Sequence, residues 1–238
     1  MTTLTDIYDK MISNGSLEDD LCQREIVEQL ENISRQVSNL KKKSIFFRKS
    51  SDINGAYIWG GVGCGKSMLM DLFVENLSIP NRRVHFHAFM QEIHNSLHKA
   101  RSSGVKDPLA LVANEVIKNF KVLALDEMQI KDITDAMIVG RLFNLLFDGG
   151  VVIVTTSNRV PSDLYKNGLN RQLFVPFIDL INNRLNILNL KSKIDYRKSK
   201  LRGTRVYFSP LNADTKNKLH NLCRDLSGNE SEDFHLIV

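Results

Sequence analysis

The chain predicts an α/β fold in which a parallel sheet carries helices on both faces. Three observations predict it. Short apolar runs of strand length alternate with segments of helical period along much of the 238 residues. A glycine-rich turn, Gly60 to Ser67, separates the first of those runs from a helix-like segment. Val122 to Leu125 is apolar at every position, as a strand buried on both faces should be, and it delivers an acidic pair.

In order, Leu4 to Val37 reads as helical, with Leu21, Ile26, Val27, Leu30 and Ile33 recurring at spacings of three to five. A polar, basic link from Ser38 to Asn54 follows, interrupted by Ile45-Phe46-Phe47. Ala56 to Trp59 is the first strand. Lys66 to Leu77 is a helix with Met68, Leu69, Leu72 and Phe73 on its apolar side. Val84 to Phe89 reads as a second strand, with helices near Met90 to Ala100 and Leu109 to Lys118. Val122 to Leu125 is the third strand. Asp132 can cap a helix to Phe147 whose Ile133, Met137, Leu142, Phe143 and Leu146 face the core. Gly149-Gly150 ends it, Val151 to Thr155 is the fourth strand, and Leu185 to Leu190 the fifth.

Composition narrows the class. With 42% hydrophobic and 25% charged residues, the chain is globular rather than disordered. Its longest apolar runs, such as Val151 to Val154, are too short to span a bilayer, and its start shows no secretory or transit signal. Cys22, Cys64 and Cys223 have no metal-ligand spacing, which fits a reducing cytoplasm. The net charge of +5 is concentrated in Lys41-Lys42-Lys43, Arg48-Lys49 and the stretch from Lys191 to Arg205. Such runs read first as solvated linkers or loop faces, and nucleic-acid or lipid binding is the less favoured alternative.

The chemistry starts at Gly60-Gly61-Val62-Gly63-Cys64-Gly65-Lys66-Ser67, a match to the phosphate-binding loop pattern without a mismatch. Glycines let successive backbone N–H groups turn into one concavity, and the helix opening at Lys66 adds its positive end. Lys66 is expected to reach the β- and γ-phosphates of ATP, and the Ser67 hydroxyl to ligate Mg2+. Asp126 would hold Mg2+ through water, and Glu127 would act as general base on the attacking water. Asn158, closing Thr155-Thr156-Ser157-Asn158, is the choice for orienting that water or the γ-phosphate. Arg159 and Arg171 are candidates for an arginine finger given to a neighbouring subunit. His85 and His87, sharing a strand face, and His94 and His98, sharing a helix face, are candidate zinc ligands, with ordinary packing and polar roles preferred.

These residues carry a resemblance. Gly60 to Asp71, Arg83-Val-His-Phe-His-Ala-Phe89, Asp126-Glu-Met-Gln129, Thr156-Ser-Asn158, Asp163 to Arg171 and Ile194-Asp-Tyr-Arg197 resemble the ZapE-like AAA+ ATPases, bacterial cell-division ATPases with mitochondrial relatives. The resemblance runs from about Tyr8 to Arg197 and more weakly beyond. It implies an AAA+ core with a five-stranded sheet in the order 5-1-4-3-2, ATP-dependent homo-oligomers, a cytoplasmic or division-site location, and association of bacterial members with the FtsZ ring. It favours Arg171 as the finger, because Leu169 to Phe177 follows the family's Leu-x-Arg and apolar Pro-Phe pattern. Asp20 and Gln23 resemble its Asp-x-x-Gln, which would bring Gln23 to the adenine. It also gives the histidines of Val84 to Phe89 an explanation without metal. Met128 departs from the family's usual Phe, and with the sequence stopping at Val238 most of the family's C-terminal helical lid is expected to be missing. The resulting division is 1–54 for the N-terminal helical segment and linker, 55–197 for the ATPase core, and 198–238 for a partial C-terminal region.

The functional expectation is an ATP-hydrolysing AAA+ protein acting on protein partners in cell division. The alternatives are a nucleotide-dependent scaffold with little turnover and a helicase-loader-like ATPase acting near nucleic acid. No guanine-reading Asn-Lys-x-Asp is present, and no acceptor site marks a small-molecule kinase.

Overall fold

The computed structural model describes residues 3–40 and 53–191. The basic runs at 41–43 and 48–49, Ile45-Phe46-Phe47, nearly all of the 191–205 stretch, Cys223, the boundary at 197 and the region 198–238 lie outside them.

The expected N-terminal helix is two helices, α1 (Leu4–Ser13) and α2 (Leu21–Leu40). The break has a local cause: Asn14 caps α1, Gly15 takes a φ of +75°, and Leu17 N–H returns to Met11 O at 3.1 Å. Asp20 then starts α2, its carboxylate accepting from Cys22 N–H at 2.8 Å and Gln23 N–H at 3.3 Å. Leu21 stays at the surface, 75% exposed, while Ile26, Val27, Leu30 and Ile33 are buried.

The remaining elements alternate: β1 (Gly55–Gly60), α3 (Lys66–Glu75), β2 (Asn81–His85), α4 (Phe86–Ser102), α5 (Pro108–Asn119), β3 (Val122–Asp126), α6 (Ile133–Asp148), β4 (Val152–Ser157), α7 (Val175–Arg184) and β5 (Leu185–Leu190). Short 3-10 turns at Pro161–Asp163 and Arg171–Leu173 precede α7. The five strands form one parallel sheet in the order β2-β3-β4-β1-β5, which is the expected order read from its other edge.

Alternation along the strands splits the core into two layers. Tyr57, Leu123, Leu125 and Ile153 face α4, α5, α6 and α7. Ala56, Ile58, Val122, Ala124, Val152 and Val154 face α1, α2 and α3. Both faces are therefore covered, and the central strands can be apolar throughout.

Two expectations need correction. The strand expected over Val84 to Phe89 ends at His85, and Phe86 already begins α4. Phe86, Phe89, Met90, Ile93 and Leu97 are all buried at helical spacing, so packing of a 3.6-residue stripe overrides the strand-like alternation of aromatic and polar residues. His87 consequently lies on a helix, exposed, and shares no strand face with His85. On α6, Leu142, Phe143 and Leu146 are buried as expected, but Ile133 and Met137 are 38% and 58% exposed. They belong to the first turns, which the described residues leave uncovered on that side.

Candidate functional site

The C-terminal ends of β1, β3 and β4 converge on one edge of the sheet, where parallel α/β folds bind ligands. β1 runs directly into the Gly60–Ser67 loop. Gly60 has no room for a side chain, because a Cβ there would come within 2.5 Å of Leu190 O. Gly65 caps α3 with a φ of +98°, and a Cβ on it would lie 2.7 Å from Gln23 Nε2. Lys66 is 8% exposed, and its ammonium donates to Gly60 O at 2.9 Å and Gly61 O at 2.5 Å. The loop thus gathers a buried cation and the N-terminal end of α3. Ser67, in the first turn of α3, is exposed.

Gln23 is fully buried behind this loop. Its Nε2 donates to Cys64 O at 3.1 Å, and its Oε1 accepts from the Tyr8 hydroxyl at 3.1 Å. The Asp-x-x-Gln spacing has a local meaning: Asp20 caps α2, and Gln23, one turn in, points at the loop. The structure joins Gln23 to loop backbone and to α1. Burial pushes the Tyr8 hydroxyl up to about 12.

Asp126 ends β3 and is 3% exposed. Its Oδ1 accepts from the Thr156 hydroxyl, and its Oδ2 accepts from Arg83 Nη2 at 2.7 Å. Burial alone would raise this carboxyl. The hydrogen bonds from Thr156 and Arg83, with the Arg83 charge, outweigh burial and hold it below the ordinary aspartate value. Arg83 also pairs with Asp71 on α3 through Nη1.

Glu127 follows with a φ of +56°, unusual for a residue with a side chain. Three bonds hold the turn against β4: Glu127 N–H to Thr156 Oγ1 at 2.9 Å, Met128 N–H to Thr156 O at 2.7 Å, and Ser157 Oγ–H to Met128 O at 2.9 Å. The Glu127 carboxylate is left at the surface beside a fixed Asp126. Asn158 is the residue the sequence points to at this strand end, but Thr156 is the one that holds Asp126. Only the pairing of Leu125 with Thr155, which the sequence does not encode locally, places Thr156 beside Asp126. Asn158 is exposed, one residue past β4.

Arg171 opens a 3-10 turn, where its Nη2 donates to Ser162 O at 2.6 Å and its Nε is buried without a hydrogen-bond partner among the described residues. Arg159 contributes backbone: its carbonyl accepts from the Tyr57 hydroxyl at 2.8 Å. His94 Nε2 lies 2.7 Å from Asp135 Oδ1, and His85 sits opposite Asp126 in the pairing of β2 with β3. Among the described residues no group of three or more His, Cys, Asp or Glu side chains could hold a metal. The Ser67 hydroxyl and the Asp126 carboxylate are hard oxygen donors, and so few protein ligands fit Mg2+, which takes one or two protein oxygens together with phosphates.

Comparison with known proteins adds three findings. The AFG1-like ATPase family matches residues 2–236. The chain is 36% identical over 247 residues to cell division protein ZapE of Escherichia coli (strain K12), covering 97% of this chain and 65% of that protein. It is 39% identical over 215 residues to lactation elevated protein 1 homolog B of Danio rerio, covering 85% of this chain and 42% of that one. The chain therefore spans under two thirds of these relatives. Among solved structures, AMPPCP-bound DnaA from Aquifex aeolicus shares the fold with a TM-score of 0.51 at 16% identity, over 95% of this chain and 63% of that one.

Proposed function

This chain belongs to the AFG1-like ATPase family, and on that footing we propose that it binds Mg-ATP at Gly60 to Ser67 and hydrolyses it to ADP and phosphate. One observation carries the reading: Thr156, on the strand between β3 and β1, holds the buried Asp126 carboxylate beside the loop that presents Lys66. An anion-binding loop and a fixed anionic metal ligand, on the ends of the two strands that flank β4, are what ATP hydrolysis requires.

The loop amides and α3 receive the phosphates. Lys66, now donating to its own loop carbonyls, would turn the same N–H groups onto β- and γ-oxygens. Ser67 and Asp126 would hold Mg2+, which would supply charge neutralisation for the phosphates. Glu127, on a turn pinned by Thr156, accepts the proton of the attacking water. Asn158 orients that water, and Arg171 reaches a neighbouring copy as the finger. The amide of Gln23 fixes the shape of the loop, and any contact with adenine is secondary to that.

The likeness to cell division protein ZapE supports a role in cell division, and the resemblance carried by the motifs adds a protein client, ATP-dependent homo-oligomers and FtsZ as the first partner to try. A cytoplasmic or division-site location goes with that reading. Among the described residues no helix is long and apolar enough to cross a membrane.

The test is ATP binding and steady-state phosphate release by wild type, Lys66→Ala and Glu127→Gln. The expected outcome is release lost in both variants, with ATP still bound by Glu127→Gln. Binding without release in the wild type would sink hydrolysis and leave a nucleotide-dependent scaffold.

A further inference from the structure

Arg83 lies outside both the loop and the acidic pair, yet its guanidinium links Asp126 to the helix that follows the loop. Nη2 donates to Asp126 Oδ2 at 2.7 Å, and Nη1 contacts Asp71 Oδ1. The bridge runs inward from a half-exposed acid to a buried one, with the side chains of Asp71, Arg83 and Asp126 at 47%, 28% and 4% exposure. Asp71 is on α3, four residues after Ser67, so the two share a helix face. β2 places Arg83 here because it pairs with β3 in register, Val84 opposite Leu125 and His85 opposite Asp126. One planar fork therefore spans the two halves of the expected Mg2+ site, the helix that carries Ser67 and the strand that carries Asp126.

We propose that Arg83 is a positioning residue for the metal-binding carboxylate: it divides its charge between Asp71 and Asp126, orienting Asp126 and setting how strongly that carboxylate attracts Mg2+. This rests on the Mg-ATP reading above. The argument is one of charge and geometry. Two carboxylates share one guanidinium, so the cluster has a net charge of −1. Without Arg83 it has −2, draws a divalent cation more strongly, and has lost the fork that fixes Asp126 Oδ2. Without the charge of Asp71, Arg83 belongs wholly to Asp126 and opposes the cation. Removing the base and removing the outer acid thus act on Mg2+ in opposite directions. A merely structural bridge would loosen the site in both cases.

The experiment titrates Mg2+ against binding of a fluorescent, non-hydrolysable ATP analogue to the full chain, and measures phosphate release in parallel. Arg83→Gln should lower the Mg2+ concentration for half-saturation by about threefold while kcat falls about tenfold or more. Asp71→Asn should raise half-saturation by about threefold. Arg83→Lys, which restores the charge without the fork, should return half-saturation to the wild-type value but recover kcat only in part. Asp71 is half-exposed, so Asp71→Asn reports even if Arg83→Gln folds poorly. Shifts in the same direction for Arg83→Gln and Asp71→Asn, or no shift in either, overturn the proposal while wild-type binding and release leave the ATPase reading standing. A wild type that binds no analogue at any Mg2+ concentration overturns both.

Discussion

The Thr156 hydroxyl donates to Asp126 Oδ1 and accepts from Glu127 N–H at 2.9 Å, so one side chain on β4 holds both acids of the β3 turn. A hydroxyl can do this because it is donor and acceptor at once. Through its acceptor bond, Thr156 steadies the Glu127 backbone at a φ of +56°.

Thr156→Val keeps the shape and removes both bonds. It should lower phosphate release by about 10- to 100-fold, the usual cost of losing a group that orients a metal ligand. ATP binding should change far less, because the loop around Lys66 is untouched. Thr156→Ser should recover most of the rate. Steady-state release and equilibrium nucleotide binding, measured on both variants, check this. Equal loss of binding and release in Thr156→Val would mean that the strand end had collapsed rather than lost one function.

Gln23 and Tyr8 couple the N-terminal helices to the loop, and neither side chain has an alternative partner in water. Gln23→Ala strands the Cys64 carbonyl and the Tyr8 hydroxyl and should cost about 1–3 kcal/mol in denaturant unfolding, together with weakened ATP binding. The Tyr8 hydroxyl also predicts a pH limit. Its value rises from about 10 in the unfolded chain to about 12 when folded. The folded state therefore favours the neutral phenol. That stability is fully present below pH 10 and is lost as pH rises from 10 through 12. Tyr8→Phe should remove this part of the alkaline loss, which unfolding curves between pH 9 and pH 12 will show.

What the sequence made legible was whatever depends on local order along the chain. Gly60 to Ser67 and Asp126-Glu127 carry their chemistry in consecutive residues, and Val122 to Leu125 announces its burial by being apolar throughout. The sheet order came through resemblance, since no local pattern encodes which strands are neighbours. Contacts across the sheet were hidden. Arg83 and Asp126 are 43 residues apart and meet only because β2 and β3 pair in one register. Thr156 stood in view beside Asn158, but its part depends on Leu125 lying opposite Thr155. Two of the local departures have physical causes as well. One glycine at position 15 turned a helical pattern into a helix pair, and the Phe86 stripe packed at helical spacing where the sequence alternates like a strand.

Arg171 provides a test of assembly. In the isolated chain its Nη2 is tied to Ser162 O at 2.6 Å while its Nε is buried without a hydrogen-bond partner among the described residues. Leu169 and Leu173 beside it are 70% and 59% exposed, an apolar margin suited to a neighbouring copy. If Arg171 reaches the γ-phosphate of that copy, Arg171→Ala should bind ATP normally and lose turnover on the order of 10³-fold. Mixing decides between a role across subunits and a role within one. Arg171→Ala retains an intact loop, and Lys66→Ala retains an intact Arg171, so neither works alone but an assembly of both holds complete sites. Phosphate release recovered on mixing the two inactive variants establishes the finger in trans. Release that stays absent, while the variants still co-assemble by light scattering, assigns Arg171 to its own subunit, where its bond to Ser162 would position the segment between β4 and α7.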